Sequence, residues 1–332
     1  MASTTTTTMR AIVQDRYGDV DVLHVGQLAR PEPAANEVLV RVHAAGLDRG
    51  TWHLMTGTPY PIRLAFGLRK PRNPVPGRDV AGTVEAVGSA VTTLSVGDEV
   101  YGVAPGSFAE YAVGRADKLV RKPANLSFEE AAVVPISGLT ALDALTVGRV
   151  KQGQHVLVIG ASGGVGSYAV QLAKAFGAEV TGVASTSKLD LVRALGADHV
   201  IDYTRDDFAE TGNQYDLIID IAGNPTLSRL RRALTPTGTV VITGGEDGGG
   251  PTGGMNRQFR GLILSLFVRQ RFTFFINKER GSDLERLTDL IEAGKVTPSI
   301  DRTYPLDQVP DAMRHLATGK TRGKIAITGA TA

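Results

Sequence analysis

Residues 154–188, QHVLVIGASGGVGSYAVQLAKAFGAEVTGVASTSK, restrict the possible folds more than any other stretch of this chain. The run from His155 to Ile159 has the apolar character of a strand buried on both faces of a parallel sheet. Gly160-Ala161-Ser162-Gly163-Gly164-Val165-Gly166 follows at once, and Val165, Ala169, Leu172, Ala173 and Phe176 then recur at helical spacing. Gly177 closes that helix as a C′ residue, and Glu179 to Val183 is a second strand. Strand, tight turn, helix and strand make a βαβ unit.

Glycines in such a turn let an anion approach bare backbone, and the helix N-terminus offers it free N–H groups and a partial positive charge. The spacing is G-x-x-G-x-x-G rather than the G-x-G-x-x-G of the dinucleotide fingerprint, so the glycines alone also fit a turn without a ligand. Their place between strand and helix argues for a dinucleotide whose pyrophosphate is cradled by Gly160, Ser162, Gly163, Gly164, Val165 and Gly166. The ribose end decides which dinucleotide. An NAD site puts Asp or Glu about 20 residues past the glycines, on the 2′-hydroxyl. Here Val183 is followed by Ala184-Ser185-Thr186-Ser187-Lys188, with no carboxylate. Hydroxyls and a lysine suit a 2′-phosphate. Ser185 and Thr186 also suit the cap of the next helix, and the two roles are compatible. The cofactor expected is NADPH/NADP.

The 332 residues suggest two domains. A formal net charge of +2, without a basic run, gives no reason to expect nucleic acid or an anionic membrane. The absence of cysteine excludes disulfides, thiolate zinc sites and a cysteine nucleophile together, and fits a reducing cytoplasm. The longest apolar run, Gly261 to Val268, is far shorter than a bilayer span, and MASTTTTTMR lacks a signal-peptide core. A cytoplasmic protein is expected, with residues 1–8 as a disordered tail.

From Met9 to about Arg121, segments such as MRAIVQ, EVLVRVHAAG, DVAGTVEAVG, DEVYGV and AEYAV stop at Gly and Pro, the pattern of an irregular antiparallel β domain. The Pro- and Arg-rich stretch 56–76 is long enough to wall a cleft. Ser127 and Glu130 form a capping box for a helix starting near Phe128. From His155 onward, strands at 155–159, 179–183, 198–202, 215–220 and 238–243 alternate with helices. That alternation means a doubly wound parallel sheet with its ligand at the strand C-termini. Residues 244–254, GGEDGGGPTGG, are expected to be a mobile loop beside the cofactor, and 257–268 a packed helix. Residues 272–276 read as an aromatic edge strand that pairs with a second subunit. Helix, strand, helix and strand follow at 283–293, 299–304, 307–317 and 323–328.

PGRDVAGTVEAVG (76–88), VGDEVYG (96–102), GSFAEYAV (106–113), SGLTA (137–141), the glycine-turn segment 156–180, LGADHVIDY (195–203) and RGKIAIT (322–328) carry a specific resemblance. Together they resemble the medium-chain dehydrogenase/reductase superfamily, in its zinc-free quinone oxidoreductase and enoyl reductase branch. The resemblance runs from Met9 to Thr328. It implies an α/β fold in which a Rossmann doubly wound parallel sheet (125–279) is inserted in a GroES-like β-rich catalytic domain (9–124 and 280–332), and a homodimer through strand 272–276. It also implies that Ser185, Lys188 and Tyr203 meet the 2′-phosphate and that Thr140 lies on the nicotinamide side. Ala222, Thr243, Gly244 and Gly245 should line the cofactor from strand ends, and Lys324 is counted with the cofactor residues. Zinc-using relatives carry a cysteine in the first third, and Gly-His-Glu where this chain has Gly77-Arg78-Asp79. The six histidines here (24, 43, 53, 155, 199 and 315) are scattered, without metal-ligand spacing. No zinc is expected.

That expectation narrows the substrate. The alkoxide from a simple ketone needs a Lewis acid or a matched proton donor, and none of the eight tyrosines has the lysine of a Y-x-x-x-K pair. A conjugated enone or a quinone spreads the incoming charge into an enolate or quinol anion that a few N–H or O–H donors can hold. A small-molecule quinone or α,β-unsaturated carbonyl, reduced by hydride transfer, is therefore expected. Where relatives carry Asn-x-x-Asp-Trp, this chain has Asp48-Arg49-Gly50-Thr51-Trp52. Asp48 and Trp52 are substrate-side candidates by that resemblance, though Asp48 and Thr51 depart from the pattern. Tyr60, in GTPYP, lies near where enoyl reductases of the branch place a proton-donating tyrosine, and it also reads as a cleft wall. Two alternatives stand beside this reading. One is an enoyl-thioester reductase, for which Arg63, Arg69, Lys70 and Arg72 would line a basic cleft. The other is an NADPH-binding structural or regulatory protein of the crystallin-like type.

Overall fold

A computed structural model describes residues 7–244 and 255–329. The expected tail up to residue 6 and the expected loop from 245 to 254 lie outside the described residues. The chain divides into two compact units: Met1–Ile136, Glu279–Glu292 and Ile300–Ala332 form one, Ser137–Lys278 and Ala293–Ser299 the other.

The second unit is built on a six-stranded sheet in the order His199–Asp202, Glu179–Ala184, His155–Ile159, Tyr215–Asp220, Leu234–Ile242, Arg271–Thr273. Every neighbouring pair is parallel. The chain starts in the middle, walks to one edge and returns to build the other half. The reversal opens a crevice at the C-terminal end of His155–Ile159. Val156, Leu157 and Val158 are fully buried in succession, which requires cover on both faces of the strand. The helix Gly164–Ala175 supplies cover through a face buried from Gly166 to Ala173.

The last strand is shorter than its composition suggests: Arg271–Thr273 rather than 272–276. Phe272 is buried, and Gly261 in the helix Met255–Ser265 lets that helix come close, a Cβ on it standing 3.2 Å from that of Phe272. Ser265 Oγ then accepts from the Phe272 N–H at 2.6 Å and donates to its carbonyl at 3.2 Å. A side chain of the same unit thus occupies Phe272 backbone groups that a partner strand would need.

The first unit has a seven-stranded sheet in the order Ile300–Pro305, Lys324–Thr328, Glu37–Leu47, Asp79–Val87, Glu99–Val103, Leu119–Arg121, with Tyr111–Arg115 also on Glu37–Leu47. Its core is β-branched and aromatic, with Ile12, Val40, Val80, Val100, Phe108 and Ile325 all fully buried. The first strand begins at Thr8, which pairs with Ala29, so residue 8 belongs to the fold and not to a tail. The capping box of Ser127 and Glu130 is formed in both directions. Its helix, Phe128–Ala132, falls in this unit, beyond the boundary expected at 124. The reason is close packing: a Cβ on Gly46 would lie 2.4 Å from the Ala132 carbonyl oxygen. No described helix is long and apolar enough to cross a membrane.

Candidate functional site

The glycine turn follows the central strand of the parallel sheet, and its glycines do different things. Gly160 takes φ 87°, a conformation that favours glycine, and a Cβ on it would stand 3.0 Å from that of Ala222. A Cβ on Gly166 would lie 2.1 Å from the Gly160 carbonyl oxygen, so helix and turn meet backbone to backbone. Gly163 has room: a Cβ there would meet nothing closer than 3.5 Å. It caps the helix Gly164–Ala175 without a side-chain hydrogen bond. Gly163 therefore leaves the first N–H groups of the helix without a side-chain cap of its own, the arrangement that suits an anion at a helix N-terminus. Ser162, within the turn, is buried.

Neighbouring strand ends complete the crevice. Thr243 N donates to the Asp220 carbonyl at 2.8 Å, and its buried hydroxyl has no hydrogen-bond partner among the described residues. A buried orphan of this kind calls for a ligand group. Gly244 permits the closest approach here, since a Cβ on it would lie 1.9 Å from the Ile221 carbonyl oxygen. Gly245 lies outside the described residues. Thr140 accepts from Asn277 Nδ2 at 3.2 Å. The turn, the uncapped helix and the Thr243 hydroxyl fit a dinucleotide.

Sequence reading missed an ion pair beside them. Asp220 is fully buried, and burial pushes its carboxyl up to about 6, with Arg257 opposing. Arg257 Nη1 lies 2.5 Å from Asp220 Oδ2, and the same guanidinium donates to the Pro225 and Gly244 carbonyls. Only the fold brings residue 257 to that strand end.

At the ribose side, Ser185 and Lys188 are half-buried where Glu179–Ala184 ends, and Tyr203 is exposed. Thr186 is committed elsewhere: its hydroxyl donates to Asp202 Oδ2 at 2.5 Å. Asp202 ends the adjacent strand, opposite Ala184. A carboxylate is therefore present at this edge after all, delivered by the third strand rather than the second. Both of its oxygens are used, because Thr204 N and Oγ donate to Oδ1 at 3.0 and 2.7 Å.

The substrate-side candidates belong to the other unit. Asp48 caps the helix Arg49–Thr56, accepting from Thr51 N at 2.8 Å and from the Thr51 hydroxyl at 3.3 Å. The two residues that depart from the family pattern thus bond to each other. Asp48 Oδ2 is buried without a hydrogen-bond partner among the described residues. Trp52 packs half-buried against the core, with the Arg49 guanidinium 5.8 Å from its ring centroid. Tyr60 is 54% exposed. Arg63 lies 4.7 Å from the ring of Tyr60 and 4.6 Å from that of Tyr17, and donates to the Gly57 carbonyl at 2.8 Å. That arginine builds its own loop rather than a basic cleft.

Lys324, counted with the cofactor residues by resemblance, lies in the first unit. It is 1% exposed, and its ammonium lies 3.3 Å from Asp79 Oδ2, forming a buried pair in the first unit. Burial pushes the Asp79 carboxyl up to about 7; Lys324 opposes this, and the charge of Asp48 adds to it. Ile136 N donates to the other oxygen at 2.8 Å. Among the described residues no group of three or more His, Asp or Glu could hold a metal ion.

Comparison with known proteins agrees with this architecture. Residues 34–124 match the model of the alcohol dehydrogenase GroES-like domain, and residues 195–327 that of the zinc-binding dehydrogenases. A 2-methylene-furan-3-one reductase of Solanum lycopersicum is 36% identical over 338 residues, covering 96% of this chain and 79% of the relative. A chloroplastic NADPH-dependent alkenal/one oxidoreductase of Arabidopsis thaliana is 35% identical over 339 residues, with the same 96% and 79% shares. The structure of the quinone oxidoreductase from Coxiella burnetii superposes with a TM-score of 0.85 at 30% identity, covering 97% of this chain and 99% of that one. The chain belongs to the medium-chain dehydrogenase/reductase superfamily, in its zinc-free quinone oxidoreductase-like branch.

Proposed function

We propose that the protein is an NADPH-dependent, zinc-independent reductase of quinones or α,β-unsaturated carbonyls. One observation carries the proposal: the helix Gly164–Ala175 has no side-chain cap at its N-cap residue, and the neighbouring strand end offers hydroxyls and cations, with the Asp202 carboxylate already taking three hydrogen bonds. Relatives named as reductases of an enone and of alkenals support the substrate class.

Bound NADPH supplies a hydride. The chain's own residues do the rest. The N–H groups of Gly164, Val165 and Gly166 hold the pyrophosphate, Ser185 and Lys188 the 2′-phosphate, and the Thr243 hydroxyl gains the partner it lacks. On the substrate side, Asp48 and Trp52 orient the acceptor, and the Tyr60 hydroxyl donates to the oxygen where negative charge gathers. A conjugated acceptor delocalises that charge, so one donor suffices where a simple ketone would need more. With Arg63 engaged in its loop, fewer cations are left for an acyl carrier, which favours small acceptors over enoyl thioesters.

The test is a panel of quinones, enones and enoyl thioesters assayed with NADPH and with NADH, before and after chelation. NADPH oxidation by the first two classes, untouched by chelator, is expected. No turnover with any acceptor would support a structural role instead, and activity lost on chelation but restored by zinc would refute metal independence.

A further inference from the structure

The strand end at Asp202 is built more elaborately than an exposed turn requires. Its carboxylate, 7% exposed, takes three hydrogen bonds, from the Thr186 hydroxyl on one oxygen and from Thr204 N and Oγ on the other. The two threonine hydroxyls also lie 3.1 Å apart, so the segment leaving one strand is stapled to the segment leaving its neighbour. The Thr186 hydroxyl, assisted by Thr204, holds the Asp202 carboxyl below the usual carboxylate range. An ionised acid here would repel a 2′-phosphate unless its charge were answered, and Arg205 answers it. Its Nε lies 3.7 Å from Asp202 Oδ2, the oxygen that also accepts from Thr186 of the Ser185–Lys188 turn, while the side chain remains 74% exposed.

We infer that Arg205 is a second phosphate-binding cation of the ribose 2′ subsite, acting with Lys188, and that Asp202 is the residue that positions it. A planar guanidinium fork matches phosphate geometry, and its anchoring reduces the rotamer freedom lost on binding. The inference rests on the NADPH reading of the site.

Its test needs no substrate: calorimetric affinity for 2′-phospho-ADP-ribose against ADP-ribose. Arg205→Ala should weaken the phosphorylated probe about tenfold at low salt. It should leave ADP-ribose binding and the melting temperature unchanged, and Arg205→Lys should recover part of the loss. Asp202→Asn should weaken the phosphorylated probe several-fold. Thr186→Val, which cuts the staple while keeping the carboxylate, should do the same even if Asp202→Asn does not fold. Full discrimination in Arg205→Ala would overturn the inference and leave the NADPH reading intact. Equal affinities in the wild type would overturn that reading itself. Tighter phosphate binding by Asp202→Asn would show that the carboxylate merely opposes the ligand, which removes its positioning role.

Discussion

In the proposed site, Lys188 supplies the charge that would separate NADPH from NADH. A charge-assisted contact is worth about 1.5–3 kcal/mol, and partial exposure places this one toward the lower end. Lys188→Ala should therefore raise the NADPH KM about tenfold and leave the NADH value nearly unchanged in steady-state assays. Lys188 stood out as a candidate in the sequence because it follows its strand within a few residues. Asp202 did not, since counting along one strand cannot register a residue that sheet pairing brings from the next. Asp79 and Lys324 were illegible as a pair for the same reason, lying at the starts of two strands far apart in sequence. Their burial has a consequence for stability. The Asp79 carboxyl is raised from an ordinary 3.8 to about 7, so within that window the folded state holds a proton that the unfolded chain has lost. Its contribution to stability is complete below that window and falls as pH rises through it. The melting temperature of Asp79→Asn minus that of the wild type should therefore become more positive across the window and level off above it. A flat difference would place the carboxyl in a far more hydrated setting.

At the scale of elements, the alternation of apolar runs and glycine stops located the strands of the parallel sheet, because strands buried on both faces leave little choice of residue. The misreading of 272–276 has the opposite cause. Aromatic residues fit an edge strand, yet Phe274–Ile276 leave the sheet while Ser265 takes the Phe272 backbone groups, and both contacts depend on a helix docking from elsewhere. The glycine turn offers a sharper distinction, since the sequence gives its glycines one appearance and the fold gives them two functions. Gly166→Ala must force a Cβ against the Gly160 carbonyl at 2.1 Å, so it should lower the melting temperature and expel the cofactor together. Gly163→Ala meets only a contact at 3.5 Å, at an ordinary φ of −86°, so it should fold as the wild type does. Its methyl would nonetheless stand beside the uncapped N–H groups and should weaken dinucleotide binding. Melting curves with and without NADPH separate the two cases, and a Gly163→Ala protein with normal ligand-induced stabilisation would mean that the phosphates do not sit over that residue.

For the whole molecule, the open question is what covers the apolar surface beside the sheet edge. The helix Met255–Ser265 and the residues after it leave Phe259, Ile263, Leu266 and Phe267 exposed, the last two at 80%. Ile276, beyond the last strand, is 83% exposed. Large apolar side chains left exposed along one helix and the turn after it mark an interface or an aggregation hazard. A second copy is the simplest cover, because twofold symmetry lets one patch bury itself. The expected homodimer therefore owes less to strand pairing than the aromatic composition of 272–276 suggests: the strand is three residues long and Ser265 already bonds to its middle residue. Most of the association energy should come from the helix. Leu266→Glu combined with Phe267→Glu should give a soluble monomer, whereas Thr273→Val, which keeps the backbone and the β-branched shape, should leave assembly unchanged. Sedimentation velocity at micromolar concentration reads both. A wild type that sediments as a monomer would mean that this surface is not a subunit interface, and a dimer that survives the double substitution would return the interface to the strand edge.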